Sequence, residues 1–552
     1  MMNQEIKERY NQWLESSVFD EATKYELSCL TEEEIRDRFY TELSFGTSGV
    51  RGKLGAGTNR MNIYLIRRLS WSLGQALLAE DMADRGVVIA HDSRRFSEEF
   101  ALETALVLGA MGIKSYLFTG LRPTPELSFA VRHLETSAGV MITASHNPKE
   151  YNGYKVYWED GGQIPPQQAA EITELLNKCP WDVPVLTDGE ALENGVLEYL
   201  DGYIDDAYQQ CITDEMLNPG LSQEHGSELD IIYTPLHGAG RTSVESVLAK
   251  LGYSNVTTIA EQADPDPEFS TVKSPNPEDE DAWKLALKAA AEHRSDLLLA
   301  TDPDSDRLGV QCRKPDGKYY HFTGNQIGIL LTNYILEVLS SRNELPEDSV
   351  VINSLVSTAM THKITDAYGI EHRLVNVGFK FIAEQIKEME ESGKGTFLFG
   401  FEESIGYLKG TYCRDKDAVL AAALTAEAAL YYKITHGKTL YEVLTELYEK
   451  HGYFKDQQQA LVLEGMEGQQ RIAEILEALH SDDRPEIGGL KVASRTFEDG
   501  LFTLMFENCG FIKARPSGTE PKIRFYFCIC GESIEDTTQR LEITKKELFE
   551  II

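Results

Sequence analysis

Gly139-Val140-Met141-Ile142-Thr143-Ala144-Ser145-His146-Asn147-Pro148 decides how the chain is read. Val140 to Thr143 are apolar or β-branched and read as a short buried strand. The strand stops at once, because Asn147-Pro148 is a turn pair that cannot continue a ladder. Ser145 therefore stands just past a strand end on a rigid turn, which is how a nucleophilic hydroxyl is displayed. An ordinary strand exit with a solvated serine has the same local pattern, so the meaning of Ser145 rests on the rest of the chain.

Working outward, strands alternate with helices. Gly86 to Ala90, Lys114 to Phe118, Gly139 to Thr143 and Tyr154 to Trp158 read as strands, with helices over Ser97 to Gly112 and Pro125 to Leu134. The pattern restarts at Leu229 to Tyr233 and again near Val350 to Asn353, giving three αβ blocks without a residue-level repeat. In the third block Thr396 to Phe399 reads as a strand and Asp417 to Lys433 as a helix. The last hundred residues change character: strands over Leu490 to Phe497, Leu501 to Glu507 and Ile523 to Cys530 precede a helix from Ile534 to Phe549. That is an α+β unit with a mainly antiparallel sheet. The fold class is α/β, with domains expected at 1–209, 210–321, 322–451 and 452–552. Met1 to Tyr40 reads as charged helices, and Phe45 to Gly52 as a glycine-rich loop carrying Arg51.

The 552 residues are too many for one core. With 42% hydrophobic and 26% charged residues, the composition is that of a soluble globular protein. A net charge of −36 repels nucleic acid and anionic membrane, so neither is expected as a partner. The hydrophilic start has no signal-peptide core, and the longest apolar run, Ala418 to Tyr432, is interrupted by Thr425 and Glu427 and is too short to span a bilayer. Eight scattered cysteines include no C-x-x-C pair; Cys528 and Cys530 alternate along an apolar strand and read as buried hydrophobes. A reducing, cytoplasmic location without structural disulfides or zinc follows as an expectation. No feature marks a partner surface, and the oligomeric state stays open.

Three further stretches carry chemistry. Asp302-Pro303-Asp304-Ser305-Asp306-Arg307 follows the strand Leu297 to Ala300. Carboxylates at alternate positions can converge as hard oxygen ligands for magnesium or calcium. An EF-hand is excluded, since its required glycine and glutamate positions hold Arg307 and Arg313. Packing three carboxylates costs repulsion unless a cation offsets it, and an adjacent arginine suits phosphate. Gly400-Phe401-Glu402-Glu403-Ser404-Ile405-Gly406-Tyr407 combines carboxylates and a hydroxyl that suit sugar hydroxyls. Arg414-Asp415-Lys416-Asp417, ahead of the next helix, has the composition of an N-terminal cap. Arg515-Pro516-Ser517-Gly518-Thr519-Glu520-Pro521-Lys522 can wrap an anion with backbone N–H groups and a guanidinium fork; a hairpin loop is its plainer reading. It is not a P-loop. A nucleophile, a hard-metal site, a hydroxyl binder and a phosphate binder are the parts that phosphoryl transfer onto and off a sugar requires.

These stretches, with the one from Phe45, resemble the α-D-phosphohexomutases, and most of all their long phosphoglucomutase branch, which also contains phosphopentomutases. FGTSGVRG from Phe45, TASHNPKEYNGYKVYW from Thr143, TDPDSDR from Thr301, GFEESIGY from Gly400 and RPSGTEPKIRFY from Arg515 occur in family order and span nearly the whole chain. The resemblance implies four domains around a central cleft and a phosphorylated Ser145. It implies magnesium held by the phosphoserine, Asp302, Asp304 and Asp306, with Arg307 and Arg51 near the phosphoryl group. Lys155 and His146 would assist proton transfer and charge balance. Lys416 lies in a segment similar to one that supplies a basic group in animal phosphoglucomutases. Glu402 and Ser404 would hold sugar hydroxyls; Arg515, Ser517, Gly518, Thr519 and Lys522 would hold the idle phosphate. The metal motif departs from the commonest family form, DGDGDR, at Pro303 and Ser305, a variant typical of the long branch. The implied reaction interconverts α-D-glucose 1-phosphate and glucose 6-phosphate through glucose 1,6-bisphosphate, also the activator. Mannose and pentose phosphates are rival substrates, and a non-catalytic sugar-phosphate binder is the alternative outside enzymes.

Overall fold

The computed structural model describes residues 3–46, 48–463, 465–498, 500–516 and 522–552. Four sheets follow one another along the chain. In the first, Val87–His91, Ser115–Phe118, Ala138–Ile142 and Leu197–Leu200 run parallel, while Tyr151–Trp158 and Gly49–Lys53 are added antiparallel at one edge. The second sets Ile231–Thr234 parallel to Val256–Thr258 and Leu297–Thr301, then adds Leu308–Arg313 and Tyr319–His321 antiparallel. The third pairs Ser349–Ser354 parallel with Glu371–Val375 and Thr396–Glu402, and adds Gly406–Leu408 antiparallel. The fourth is antiparallel throughout, from Tyr453–Val462 to Glu486–Ile487.

One arrangement recurs. In each of the first three sheets a buried parallel strand ends, a short loop turns, and the next strand returns antiparallel. Those loops hold Ser145, Asp302 to Arg307, and Glu403 to Ile405. Each contains a non-glycine residue in the left-handed region: Ser145 at φ 52°, Ser305 at 52° and Ile405 at 57°. Such conformations cost about 1–2 kcal/mol apiece and persist where the surroundings over-determine them. In the fourth sheet Phe511–Pro516 and Lys522–Gly531 also pair antiparallel, on either side of residues 517–521.

Several elements differ from the sequence reading. Gly49 to Gly52 is not loop but part of an edge strand, with Arg51 opposite Gly153. Gly153 permits this, since a Cβ there would lie 2.8 Å from the Val50 carbonyl oxygen of that strand. The strand before the Glu402 motif runs on to include Glu402 itself. Helices Ile63–Ala79, Pro166–Lys178 and Leu440–His451 were not anticipated, nor were strands Leu308–Arg313, Tyr453–Val462 and Phe511–Pro516. Cys528 is buried, but Cys530 is only half-buried.

The apolar run from Ala418 is a helix, Ala418–Tyr431, packed against helices Gly240–Lys250 and Gly324–Ser341. Its Glu427 is fully buried and accepts from the Leu217 and Asn218 N–H groups at 3.0 and 2.6 Å and from the Tyr334 hydroxyl at 2.8 Å. That is why a carboxylate interrupts an apolar helix. Glu427→Ala is expected to cost about 3 kcal/mol, because one buried and two half-buried donors lose their acceptor; a denaturant midpoint indistinguishable from wild type would refute this. Among the described residues no helix is long and apolar enough to cross a membrane.

Candidate active site

Ser145 is held by its own turn. Thr143 Oγ1 accepts its N–H at 2.8 Å and donates to Asp92 Oδ2 at 2.7 Å. Arg94, buried and ion-paired with Asp92 at 3.2 Å, donates to the carbonyls of Ser145, Asn147, Pro148 and Tyr151. Asp92 and Arg94 were missed from sequence; the available signal was a pair of opposite charges directly after the buried strand Val87–His91. The Ser145 hydroxyl donates to Asp302 Oδ2 at 2.7 Å and shares a 3.1 Å contact with His146 Nδ1. The serine displayed by one sheet therefore touches the acidic loop of the next.

Asp302, Asp304 and Asp306 are buried, and one carboxylate oxygen of each lies within 4.8 Å of the others. Asp304 Oδ2 is taken by Thr124 Oγ1 at 2.9 Å and Lys155 Nζ at 2.7 Å. Asp304 Oδ1 and Asp306 Oδ1 are buried without a hydrogen-bond partner. Three clustered carboxylates, two of them with an orphaned buried oxygen, are what a divalent cation satisfies, so the residues fit a metal. Burial, together with Asp304 and Asp306, raises the Asp302 carboxyl well above its usual range; a cation offsets the same repulsion. Burial works against the Asp306 charge too, yet Lys416 at 3.2 Å and Lys155 at 3.6 Å hold it well below the carboxylate range. The loop itself needs close backbone approach: a Cβ on Gly240 would lie 2.4 Å from Ser305 Oγ, and one on Gly238 2.5 Å from Pro303 Cα.

The basic residues surround this point. Arg307 Nε is buried without a hydrogen-bond partner, 3.8 Å from Asp306 Oδ1, and Nη1 is 3.6 Å from Glu278. Arg51 donates to Asn147 Oδ1 at 3.0 Å from the edge strand. Burial lowers Lys155 basicity, but Asp304 and Asp306 outweigh it and the ammonium stays charged. Lys416 behaves likewise through Asp306, Asp415 and Glu402. Burial, then Arg307 and Arg51, push His146 well below its ordinary value, so its imidazole is neutral near pH 7. The segment holding Lys416 is both cap and site. Asp417 caps the buried helix through the Val419 and Leu420 N–H groups, while Asp415 accepts from Tyr157 at 2.7 Å and Lys416 at 3.0 Å.

Glu402, last in its strand, accepts from the Gly378 N–H at 2.9 Å, and burial raises its carboxyl to about 7 although Lys416 opposes this. Ser404 is half-buried in the turn. Glu403 faces the other way, accepting from Ser354 at 2.9 Å and lining a cavity of about 320 Å³ with Glu278, Thr323, Asn325 and Tyr526. Backbone bonds tie the loops together: Thr124 N–H to Asp304 O at 2.8 Å, Leu308 N–H to Ile405 O at 3.0 Å, Ala418 N–H to Ser305 O at 3.1 Å. Ser517, Gly518 and Thr519 lie outside the described residues. Arg515, next to last in its strand, stands directly opposite Arg524, and both are exposed. Like charges facing across a ladder are unfavourable unless an anion joins them. Arg524 was missed, though it lies within the quoted Arg515 stretch. Lys522 opens the returning strand.

Models of phosphoglucomutase/phosphomannomutase α/β/α domains I, II and III match residues 42–181, 202–317 and 323–451 in turn. The chain belongs to this family. It is 38% identical to a phosphoglucomutase of Staphylococcus haemolyticus over 524 residues, covering 91% of this chain and 93% of the relative. A phosphoglucomutase of Staphylococcus aureus is 35% identical, with 96% and 97% covered. Among solved structures, a phosphomannomutase from Thermus thermophilus, itself assigned provisionally, superposes with a TM-score of 0.71 at 26% identity, covering 92% of this chain and 99% of that one. Parafusin from Paramecium shares the fold at a TM-score of 0.70 and 17% identity, covering 93% and 95%. The family fold accounts for the three like sheets and the fourth antiparallel one around a shared set of loops.

Proposed function

We propose that this chain is a phosphoglucomutase, interconverting α-D-glucose 1-phosphate and glucose 6-phosphate through a phosphorylated Ser145. The carrying observation is Ser145 Oγ hydrogen-bonded to Asp302 inside a buried triad of carboxylates. A sugar hydroxyl attacks the phosphorus on Ser145; the P–Oγ bond breaks as the new P–O bond forms and the hydroxyl proton ends on Oγ, giving glucose 1,6-bisphosphate. The bisphosphate turns end for end, and Oγ takes the other phosphoryl group back. Neutral His146, 3.1 Å from Oγ, is placed to exchange the serine proton. Charged Lys155 and Lys416, with Arg307 and Arg51, present fixed positive charge to the phosphoryl oxygens. Asp302, Asp304 and Asp306 would hold magnesium, which supplies charge neutralisation at the transferring group. Glu402 and Ser404 receive sugar hydroxyls. Arg515, with Ser517, Gly518, Thr519 and Lys522, takes the phosphate that is not reacting. A cytoplasmic location is part of this proposal, since eight scattered cysteines without a C-x-x-C pair suit a reducing compartment.

A coupled assay with α-D-glucose, mannose and ribose 1-phosphates tests the substrate. Glucose is expected to give the highest kcat/KM; a mannose or ribose preference would overturn this choice while keeping the mechanism, and no turnover on any would leave a binding protein. The Arg515 assignment is tested separately. A charge-assisted hydrogen bond contributes about 1.5–3 kcal/mol, so Arg515→Ala is expected to lose about tenfold to a hundredfold in kcat/KM. KM should rise, kcat should fall, and more free bisphosphate should escape, since the intermediate is held less firmly during its turn. Wild-type KM and bisphosphate release would reduce the loop to a hairpin.

A further inference from the structure

Far from Ser145 in sequence, two cysteines meet at the base of the fourth sheet. Strands Phe511–Pro516 and Lys522–Gly531 pair with Phe511 opposite Cys528; carried two residues outward, that register sets Cys509 opposite Cys530. The turn before it is closed by Cys509 N–H to Phe506 O at 3.2 Å and Phe506 N–H to Gly510 O at 2.8 Å. This is a β-turn followed by a left-handed residue, a position that glycine normally fills. Here it is Cys509, at φ 66°. Asn508 Nδ2 donates to the Cys530 carbonyl at 2.9 Å, pinning turn to strand. Both cysteines are half-buried. Facing residues of an antiparallel pair have Cα atoms about 4.5–5.5 Å apart, within the about 4.4–6.8 Å that a disulfide spans.

We propose that Cys509 and Cys530 form a reversible oxidation site, closed to a disulfide by a hydroperoxide and reopened by a dithiol. The Cys509 thiolate attacks one oxygen of the peroxide, the O–O bond breaks, and hydroxide leaves, giving a sulfenic acid. The Cys530 sulfur then attacks Cys509 sulfur and water departs, its proton coming from the Cys530 thiol. A dithiol returns two electrons and two protons and leaves as its own cyclic disulfide. The chemistry of the pair suits this order. The hydrogen bond from Cys530 lowers the Cys509 thiol to about 6 against the effect of burial, and Lys363 on helix Met360–Ala367 adds positive charge. Cys530 is raised by the same bond and remains the protonated partner.

The pair also sits at a joint. Cys530 faces Phe454, and a Cβ on Gly452 would lie 3.9 Å from Cys530 Sγ. Gly452, at φ 100°, is where helix Leu440–His451 passes into strand Tyr453–Val462 and the chain enters the fourth sheet. A disulfide there ties the hairpin turn to the strand next to the entry point.

The test treats the full-length protein at pH 7 with hydrogen peroxide, caps free thiols with iodoacetamide, and maps peptides without reduction. The expected result is a Cys509–Cys530 linked peptide two hydrogens lighter, removed by dithiothreitol. With limiting iodoacetamide, Cys509 should alkylate about tenfold faster than exposed Cys29. In Cys530→Ser the reaction should stop at a sulfenic acid that dimedone traps on Cys509. Cys509→Gly suits the left-handed turn and should fold while losing the linkage. Absence of the linked peptide at peroxide levels that oxidise Cys29 would overturn the proposal, as would Cys509 alkylation no faster than that of Cys29.

Discussion

Replacing Ser145 by alanine is expected to abolish mutase turnover, by a factor on the order of 10⁴ or more, with the fold intact. The loss is large because Ser145 Oγ is the atom that makes and breaks both bonds. His146 and Thr143 flank it, but Thr143 Oγ1 is committed to Asp92 and to the Ser145 N–H. The scaffold should survive, because Arg94 grips the turn through backbone carbonyls and not through the serine side chain. Ser145→Gly makes a useful companion: glycine relaxes φ 52°, so this variant should be at least as stable as the alanine one and equally inactive. Intact-mass measurement of the native protein should show a fraction one phosphate heavier, mapped to Ser145 and missing from both variants. Turnover by Ser145→Ala at the wild-type rate would end the phosphoserine mechanism.

Chelation is the second large effect. Stripping the metal is expected to stop turnover, and magnesium to restore it, because three buried carboxylates cluster together, two with an orphaned oxygen and the third bonded to the reacting hydroxyl. Asp304→Asn should lower kcat by about a hundredfold or more while changing sugar-phosphate affinity far less, since the carboxylate faces the metal point and Lys155, not the sugar loop. Stability gives a readout independent of activity. Magnesium added to the stripped wild type should raise its melting temperature by binding only the native state, and that rise should shrink in Asp304→Asn. Full activity in excess chelator, or an unchanged magnesium-induced rise in the variant, would count against the triad as the metal site.

Much of the site was legible because phosphoryl transfer is demanding about residue type. Alternating aspartates followed by arginine, a serine on a strand exit, and an arginine beside small hydroxyl residues are each uncommon, and each announces its chemistry locally. The residues missed act at one remove. Arg94 works through backbone carbonyls that its sequence neighbours do not reveal, and Arg524 gains meaning only from facing Arg515 across a ladder. Asp415 and Tyr157 are far apart in sequence and meet only when the third unit lies against the first.

The sequence by itself determined the alternation of strands and helices, the four chemical stretches and the turn that displays Ser145, because periodicity, turn residues and ligand types are local properties. It also marked Glu427 as an interruption in an apolar run without saying what it served. Tertiary structure decided the rest. It made Gly49 to Lys53 an edge strand, since a ladder partner at Gly153 is not encoded nearby. It brought Ser145 to 2.7 Å from Asp302, 157 residues away, through loops returning antiparallel at the same end of successive sheets. It kept Lys155 and Lys416 charged and His146 neutral, although Lys416 is buried and the other two are half-buried, because charge state depends on which carboxylates and guanidiniums end up beside each group and not on the residue's own type.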